Sequence, residues 1–278
     1  IVIADSCANF ANEIFQNQTD YSGSTLILGA LFFTFQIYGD FSGYSDIALG
    51  TARLFGIDLL RNFAFPYFSR DIAEFWRRWH ISLSSWFKDY LYIPLGGNKG
   101  GTWIKVRNTF IIFIVSGFWH GANWTFIIWG LLNAFYILPL IILKRNRNNI
   151  DIVAQGKKLP NLKEIFSIGI TFSLTVFAWI FFRSESVTMA FEYIAEIFSR
   201  STLSVPYFSG IGTSIPVVLF LFLFFTIEWI GRENEFAIQK IGLQWKRIVR
   251  WSFYSFLVIS IYYFSFNSSN QQFIYFQF

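Results

Sequence analysis

The stretch WTFIIWGLLNAFYILPLIIL at residues 124–143 decides the fold class of this chain. It has no charged side chain, and about 20 apolar residues are enough for a helix to cross the hydrocarbon core of a bilayer. The candidate span at 123–143 is joined by others at 26–56, 108–119, 164–182, 211–230 and 251–266, of which 108–119 is short. The sequence therefore predicts an all-α fold, a polytopic transmembrane helical bundle that forms a single membrane domain over residues 1–278.

The composition of the chain fits a membrane protein better than a soluble one. Of the 278 residues, 54% are hydrophobic and 14% are charged, against roughly 25% charged residues in soluble domains. The single cysteine, Cys7, excludes an intrachain disulfide, and two histidines make a structural zinc site an unfavourable interpretation. The net charge of +5 is carried by loops between apolar segments, so nucleic acid is not an expected partner. These features exclude an ordinary soluble enzyme, and the lipid bilayer is the expected surroundings.

The distribution of lysine and arginine predicts how the spans are oriented. Residues 96–108, 144–163 and 231–250 are rich in Lys and Arg, whereas residues 1–25 and 183–210 carry more acidic than basic groups. The positive-inside rule places the first three segments in the cytoplasm. Residues 144–163 are then a cytoplasmic loop, and residues 267–278 are an extracytoplasmic aromatic tail. The chain begins at Ile1 without a signal-peptide pattern, and we expect it to be a fragment that lacks an N-terminal part.

Polar residues interrupt the apolar pattern in three places, of which the first is YGDFSGYSD at residues 38–46. Its two glycines would allow the span 26–56 to break in the middle and to pack closely against a neighbour. Asp40 and Asp46 would then be structural partners of basic groups or helix ends. Direct chemistry by these carboxylates is the alternative, because ionisable groups at membrane depth are costly and often functional.

The second interruption covers residues 70–97. Spacings of three and four predict one amphipathic helix at the cytoplasmic interface, with these large side chains on a shared face: Trp76, Trp79, Leu83, Trp86 and Tyr90. One interpretation is a membrane-surface anchor. The other is a docking face for an anionic, phosphate-bearing acyl donor or its carrier, to which Arg77 and Arg78 are suited. Residues 187–200 also have helical apolar spacing and predict a second interfacial helix, on the outer surface.

The third interruption is SGFWHGANW at residues 116–124. Arg107 marks the cytoplasmic surface, and thirteen residues of helix carry the chain about 20 Å further, so that His120 lies within the bilayer. A lone histidine there either hydrogen-bonds between helices or acts as a general base in a water-accessible cavity. Gly117 and Gly121 are expected to leave open space beside the ring.

Together these stretches resemble the membrane-bound O-acyltransferase (MBOAT) family, and within it the bacterial alginate and peptidoglycan O-acetyltransferases. The motifs that carry the resemblance are DFSGYSD at 40–46, RLFG at 53–56, EFWRRWHISL at 74–83, DYLYIPLGG at 89–97 and WHGANW at 119–124. The match is close over residues 38–135 and looser beyond. Composite motifs of this length are specific, whereas a bare Trp-His-Gly would not be. The resemblance implies a multi-pass protein of the bacterial cytoplasmic membrane and supports the expectation of a missing N-terminal part.

The resemblance also implies acyl-transfer chemistry and its residues. The active-site histidine of the family matches His120, and a second family histidine matches His80. The acyl thioester, acetyl-CoA or a carrier-bound acyl group, would reach the site from the cytoplasm as a substrate, with no bound cofactor and no metal. His120 would take the proton of the attacking hydroxyl. The set expected to bind the donor or substrate is Arg77, Arg78, Trp76, Trp79, Trp119 and Asn123, the last as a donor to the developing oxyanion.

The last six residues, FIYFQF at 273–278, are unusually aromatic for a solvated tail. They resemble the Phe-x-Tyr-x-x-Phe acyl-transfer motif of lipoteichoic acid D-alanylation systems, where the motif is found on a small partner. We hypothesise that the tail folds back above His120 and that Tyr275 accepts the acyl group as an ester and passes it on. Because phenols ionise near pH 10, Tyr275 would need His120 to activate it. An aromatic interfacial anchor is the alternative.

The favoured function is a membrane O-acyltransferase that moves an acetyl group from a cytoplasmic donor across the membrane for O-acetylation of an extracytoplasmic polysaccharide. Its expected partners are the lipid bilayer, a glycan acceptor and an extracytoplasmic acyltransferase of the SGNH-hydrolase-like type. The alternatives are D-alanyl or other short-acyl transfer to a teichoic-type polymer, a transporter without covalent chemistry, and a purely structural membrane subunit.

Overall fold

The computed structural model describes residues 2–267, and all regular secondary structure in that part of the chain is helical. The α-helices are α1 (Ala4–Gln16), α2 (Gly23–Leu54), α3 (Ile72–Arg78), α4 (Ile81–Phe87), α5 (Thr102–His120), α6 (Trp124–Ile142), α7 (Leu162–Arg183), α8 (Val187–Ile197), α9 (Ile211–Gly231) and α10 (Arg247–Asn267). Short 3₁₀ helices lie at Gln18–Asp20, Pro66–Phe68 and Arg200–Leu203, and a π-helical turn lies at Lys88–Tyr92.

Five of these helices are long and apolar enough to cross a membrane: α2, α6, α7, α9 and, over Arg247–Ser265, α10. They coincide with the five longer spans predicted from the sequence. Helix α5 contains the short candidate span 108–119 and extends it on both sides to Thr102–His120. The prediction of an all-α membrane bundle is therefore confirmed.

Helix α2 runs unbroken through the stretch where the sequence suggested a break, so that expectation is wrong. Gly39 and Gly43 both have helical backbone within this 32-residue helix. A glycine inside a helix costs only about 1 kcal/mol, which is too little to interrupt so long an element. Asp40 is half-buried, and Asp46 is exposed and within electrostatic range of Arg61. The structural role of the two carboxylates stays a prediction.

The single amphipathic helix expected over residues 70–97 is also wrong, because the chain breaks it at Trp79 and His80. Trp79 has extended backbone and His80 has a left-handed one, with φ of 44°. Asn62 makes the break favourable: its carbonyl oxygen accepts from the Ile81 N–H at 3.0 Å, and its Oδ1 accepts from the Ser82 N–H at 3.2 Å. A residue from a preceding extended segment thus satisfies the first N–H groups of α4.

The break sends the large side chains of this region in different directions. Trp79 is buried, with 2% of its surface exposed, whereas Trp86 is 53% exposed and Tyr90 is 69% exposed. Trp76 is half-buried. The shared face predicted from their spacing therefore does not exist, since one residue in left-handed conformation turns everything that follows it.

The described residues form two compact units, 2–43 with 195–267 and 44–194. In the first unit, the ring of Phe10 packs on that of Phe208 with centroids 5.6 Å apart. Tyr38 of α2 donates a hydrogen bond of 2.5 Å to Oε1 of the buried Glu228 of α9. Such a bond satisfies a carboxyl group that would be costly to leave unpaired at membrane depth. The single-domain prediction stays a prediction.

In the second unit, α5 and α6 pack with their backbones in close contact. A Cβ added to Gly117 would lie 2.3 Å from the carbonyl oxygen of Phe126, and one added to Gly130 would lie 2.2 Å from that of Phe113. Helix α3 covers this pair through Ile72, which joins Phe113 in a cluster of buried apolar side chains. The close approach fixes the end of α5, where His120 lies, against the start of α6.

Candidate active site

The imidazole of His120 is half-buried at the C-terminal end of α5 and is surrounded by aromatic rings. Its centroid lies 5.0 Å from that of Phe182, 5.2 Å from that of Trp129 and 5.0 Å from that of Trp119, each in an edge-on arrangement. Trp129 and Phe182 are each only 2% exposed, whereas Trp119 is 54% exposed. The histidine therefore has a closed aromatic wall on one side and a partly open rim on the other. We call the three rings around His120, those of Trp119, Trp129 and Phe182, the aromatic cage.

The turn between α5 and α6 builds this cage. Asn123 caps α6, because its Oδ1 accepts a hydrogen bond from the Thr125 N–H at 3.1 Å. Its Nδ2 donates to the carbonyl oxygen of Glu185 at 2.8 Å, just beyond the end of α7. The same side chain thus starts α6 and ties it to α7, which brings Phe182 against His120. With both groups of its amide engaged, the role of oxyanion donor expected for Asn123 stays a prediction.

The glycines beside His120 do not leave the open space that the sequence suggested. A Cβ on Gly117 would meet the α6 backbone, as described above, and a Cβ on Gly121 would lie 2.6 Å from the Phe126 ring. Their small size is used for packing α5 against α6.

His80 lies at the break between α3 and α4, beside the buried Trp79. Burial lowers the pKa of the His80 imidazole to about 4. The ring is therefore neutral near pH 7, the state in which an imidazole can accept a proton or a hydrogen bond.

A row of three tryptophans links the two histidines. Trp79 contacts Trp179 of α7 with ring centroids 5.3 Å apart, and Trp179 stacks on Trp129 of the aromatic cage at 5.7 Å. The two imidazoles are close enough to interact electrostatically. The structure therefore brings together His80 and His120, which are 40 residues apart in sequence, in one candidate active site.

The two predicted donor-binding arginines contact the loop at 144–163. Arg77 donates from Nη1 to the carbonyl oxygen of Asn146 at 2.9 Å and from Nη2 to that of Asn149 at 2.7 Å. Arg78 donates to Glu74 Oε1 at 2.8 Å and to the carbonyl oxygen of Asp151 at 3.1 Å. These bonds hold the loop in place, and the binding of an anionic donor by either arginine stays a prediction.

The remaining predicted residues are placed as follows. The Trp76 indole N–H donates to Asn133 Oδ1 at 3.1 Å, and its ring contacts Trp129 at 5.7 Å. Tyr275 lies outside the described residues, so its role stays a prediction. Among residues 2–267, no group of three or more His, Cys, Asp or Glu side chains is placed to hold a metal ion.

Sequence reasoning missed Trp129, Trp179 and Phe182, which form the wall behind His120, and Asn62, which sets the position of His80. Trp129 lies nine residues after His120 on a span that was recognised, so its proximity could have been suspected. Trp179 and Phe182 reach the site only through the packing of α7 against α6, for which a single sequence has no local signal.

The fold and the site define a multi-pass helical membrane protein with two histidines in an aromatic surround. Residues 7–182 match the model of the MBOAT, membrane-bound O-acyltransferase family. The chain belongs to this family, and the five apolar helices agree with a multi-pass protein of the cell membrane.

Individual relatives carry related names. A probable alginate O-acetylase AlgI of Azotobacter vinelandii is 43% identical over 243 residues, which cover 87% of this chain and 46% of that protein. A peptidoglycan O-acetyltransferase of Helicobacter pylori is 34% identical over 296 residues, covering 100% of this chain and 54% of that protein. A teichoic acid D-alanyltransferase of Streptococcus thermophilus is 37% identical over 174 residues, covering 56% of this chain and 40% of that protein. The chain spans about half the length of these relatives.

Proposed function

We propose that this chain carries the catalytic histidines of a membrane O-acyltransferase that moves an acetyl group from a cytoplasmic thioester donor to a hydroxyl of an extracytoplasmic polysaccharide. The observation that carries the proposal is the position of His120, edge-on to buried aromatic rings and near the neutral His80. Both histidines fall within the part of the chain that matches the family.

The chemistry requires one base and a site that excludes water. As the acceptor oxygen bonds to the thioester carbonyl carbon, its proton passes to the imidazole of His120. The carbon–sulfur bond then breaks, and the leaving sulfur takes the proton from the imidazolium. The products are an ester and a free thiol. The aromatic cage supports this reaction because it shields the thioester from hydrolysis on the closed side of the ring.

The route of the acyl group follows from the predicted orientation. The donor would approach from the side of the loop at 144–163, and the acceptor from the side of residues 183–210. The glycan acceptor and an extracytoplasmic SGNH-like acyltransferase are proposed partners, and acetyl-CoA or a carrier-bound acetyl group is the proposed donor.

Transfer of D-alanyl groups to a teichoic-type polymer is the second candidate. The observation in its favour is the similarity to a teichoic acid D-alanyltransferase over 56% of this chain. The two candidates share the same histidine chemistry and differ in the acyl group, so identification of the ester released from the cell surface distinguishes them.

Replacement of His120 tests the proposal. Cells that lack the native gene would express the full-length protein or its His120→Ala variant, and alkali-released acyl groups would be measured per amount of surface polymer. We expect at least a 10²-fold loss, as for removal of a general base. The control is Ile248→Ala on α10, a residue 81% exposed and remote from the site in sequence. Normal acylation by a stably inserted His120→Ala protein would contradict the proposal and favour a transporter.

The proposed ester relay through Tyr275 has a separate test. In the relay, the Tyr275 oxygen bonds to the thioester carbonyl carbon as its proton passes to His120, and the carbon–sulfur bond breaks with the sulfur taking that proton and leaving as a thiol. A second hydroxyl then attacks the tyrosyl ester and gives its proton to His120, and the ester bond to Tyr275 breaks as the phenol oxygen takes the proton back. We expect Tyr275→Phe to reduce acylation to background and to remove a hydroxylamine-sensitive acyl label from the C-terminal peptide seen by mass spectrometry. Full turnover by Tyr275→Phe would contradict the relay while leaving the role of His120 intact.

A further inference from the structure

The indole N–H of Trp179 is a buried donor without an acceptor. The residue is 2% exposed, and within residues 2–267 no atom accepts a hydrogen bond from its Nε1. By contrast, the indole N–H of Trp76, in the same unit, is satisfied by Asn133. An unpaired buried donor destabilises the fold, and native proteins contain few of them. The position therefore requires an explanation.

Trp179 lies between Trp79, which precedes His80 in the chain, and the rings that contact His120. Its ring contacts Trp79, next to His80, at 5.3 Å, and it contacts Trp129 and Phe182 of the aromatic cage at 5.7 Å and 5.2 Å. A substrate carbonyl held between the histidines would therefore be near this indole.

A second buried polar atom without a hydrogen-bond partner lies on α6, one helical turn before Trp129. Thr125 is fully buried, and its Oγ1 has no hydrogen-bond partner among the described residues. Thr125 precedes Trp129 by four residues on α6, so the two side chains lie on the same face of that helix. Two unsatisfied polar atoms around Trp129 indicate a site that is completed by a polar ligand.

We propose that Trp179 donates its indole N–H to the carbonyl oxygen of the acyl thioester. This inference rests on the proposed acyl transfer. When the acceptor oxygen bonds to the carbonyl carbon, the electron pair of the C=O bond moves to the carbonyl oxygen, which the N–H then stabilises. The carbonyl re-forms as the carbon–sulfur bond breaks, and the sulfur takes its proton from His120. Trp179 loses no proton, as befits a group that is a donor only.

The Trp179 N–H has no acceptor among the described residues, whereas one N–H of the Asn123 amide already donates to the carbonyl oxygen of Glu185. The orientation of Trp179 is fixed by rings on several sides, so little reorganisation is needed when charge develops on the oxygen. The competing explanation is an N–H···π contact with Phe182, whose ring lies at 84° to that of Trp179. In that case the N–H would contribute to packing alone.

The experiment removes the N–H and keeps the ring. In the full-length protein, Trp179 would be replaced by Phe and, by site-specific incorporation, by benzothienylalanine, in which sulfur replaces the N–H at nearly unchanged shape. The rate of surface-polymer acylation would be measured per inserted protein. The matched control is Trp251→Phe, at a residue 56% exposed on α10. We expect both changes at position 179 to slow acylation about 10²-fold, as for loss of one oxyanion donor, and the control to act like wild type.

Other outcomes overturn the inference in distinguishable ways. A wild-type rate with benzothienylalanine would assign Trp179 a packing role alone, whatever the effect of Trp179→Phe. If the benzothienyl protein fails to insert in the membrane, a wild-type rate of Trp179→Phe would likewise show that the N–H is not needed for acylation. His120→Ala is measured in parallel: its inactivity together with active position-179 variants refutes this inference only, whereas full activity of His120→Ala refutes the proposed function itself.

Discussion

At the scale of single residues, aromatic contacts determine how the imidazole of His120 is oriented. The rings of Trp129 and Phe182 lie at 89° and 77° to the imidazole plane and restrict its rotation. Edge-on aromatic contacts of this kind contribute about 0.5–1.5 kcal/mol each. Packing therefore orients the imidazole that we propose as the base.

His80 is expected to make the folded protein sensitive to acid. Its pKa is lowered to about 4 from an ordinary 6.5, so between these values the unfolded chain binds more protons than the folded one. The stability due to neutral His80 is complete above about pH 6.5 and is lost as the pH falls toward 4. We predict that the melting temperature of the wild type falls more between pH 7.5 and 5 than that of His80→Asn.

Asparagine is the appropriate substitution at this position because it adopts left-handed backbone more readily than most residues and does not titrate. His80→Ala provides a second non-titrating variant. Because alanine adopts left-handed backbone less readily than asparagine, we expect its melting temperature to be lower than that of His80→Asn at every pH. Equal acid sensitivity of the wild type and both variants, measured by thermal unfolding in detergent, would refute the assignment to His80.

At the scale of elements, the pairing of α5 with α6 depends on two glycines. Gly117 and Gly130 each face a carbonyl oxygen of the opposite helix, at distances that leave no room for a methyl group. Small residues at such contacts allow membrane helices to approach closely. Since His120 ends α5 and Trp129 lies on α6, this pairing also sets the geometry of the aromatic cage.

We predict that Gly130→Ala destabilises the protein by about 1–3 kcal/mol, as overpacking of a tight interface does. The matched control is Gly169→Ala on α7, where an added Cβ meets nothing within 4 Å. There alanine reduces the backbone freedom of the unfolded chain, so the change should leave the folded protein equally stable or stabilise it by up to about 1 kcal/mol. Melting temperatures of the two purified variants would show this difference, and an unaffected Gly130→Ala would disprove the tight interface.

The sequence was sufficient to predict the long helices and the helix at α8, but not the break between α3 and α4. Spans such as α6 and α7 follow from continuous apolar segments, because the bilayer demands them. The break at Trp79 and His80 depends on Asn62, which lies outside the periodic stretch that it interrupts. Helical spacing alone therefore predicted one helix with one aromatic face, and it could not include a cap supplied from an earlier segment.

The same distinction applies to the candidate site. His120 was recognised by its depth along a helix and by its motif, and both are local properties of the sequence. Trp179 and Phe182 were missed because they belong to a separate span, and only packing brings Phe182 against His120 and Trp179 against Trp129. The charge of Arg77 predicted an anionic ligand, which stays a prediction, whereas its bonds to two carbonyl groups of the loop had no signal in the sequence.

At the scale of the whole molecule, the loop at 144–163 is fastened through a buried charge cluster. Glu74, 1% exposed, pairs with Arg70 at 3.1 Å and with Arg78 at 2.8 Å. Arg70 also bonds to Asp151 of the loop at 3.0 Å and holds the pKa of that carboxyl below its usual range. A buried carboxylate with two cationic partners is costly to disrupt, so this cluster gives the predicted cytoplasmic face a fixed surface.

The predicted orientation can be tested with two matched cysteines. Leu159, 76% exposed, lies in the loop at 144–163, and Leu203, 91% exposed, lies in the segment 183–210. The native Cys7 gives little background, because it is fully buried and burial raises the pKa of its thiol to about 12, while only the thiolate reacts. We expect a membrane-impermeant maleimide to label the Leu203→Cys variant of the full-length protein in spheroplasts. The Leu159→Cys variant should be labelled only in inside-out vesicles. The opposite pattern would invert the predicted topology, and the proposed acyl donor would then have to approach His120 from the side of residues 183–210.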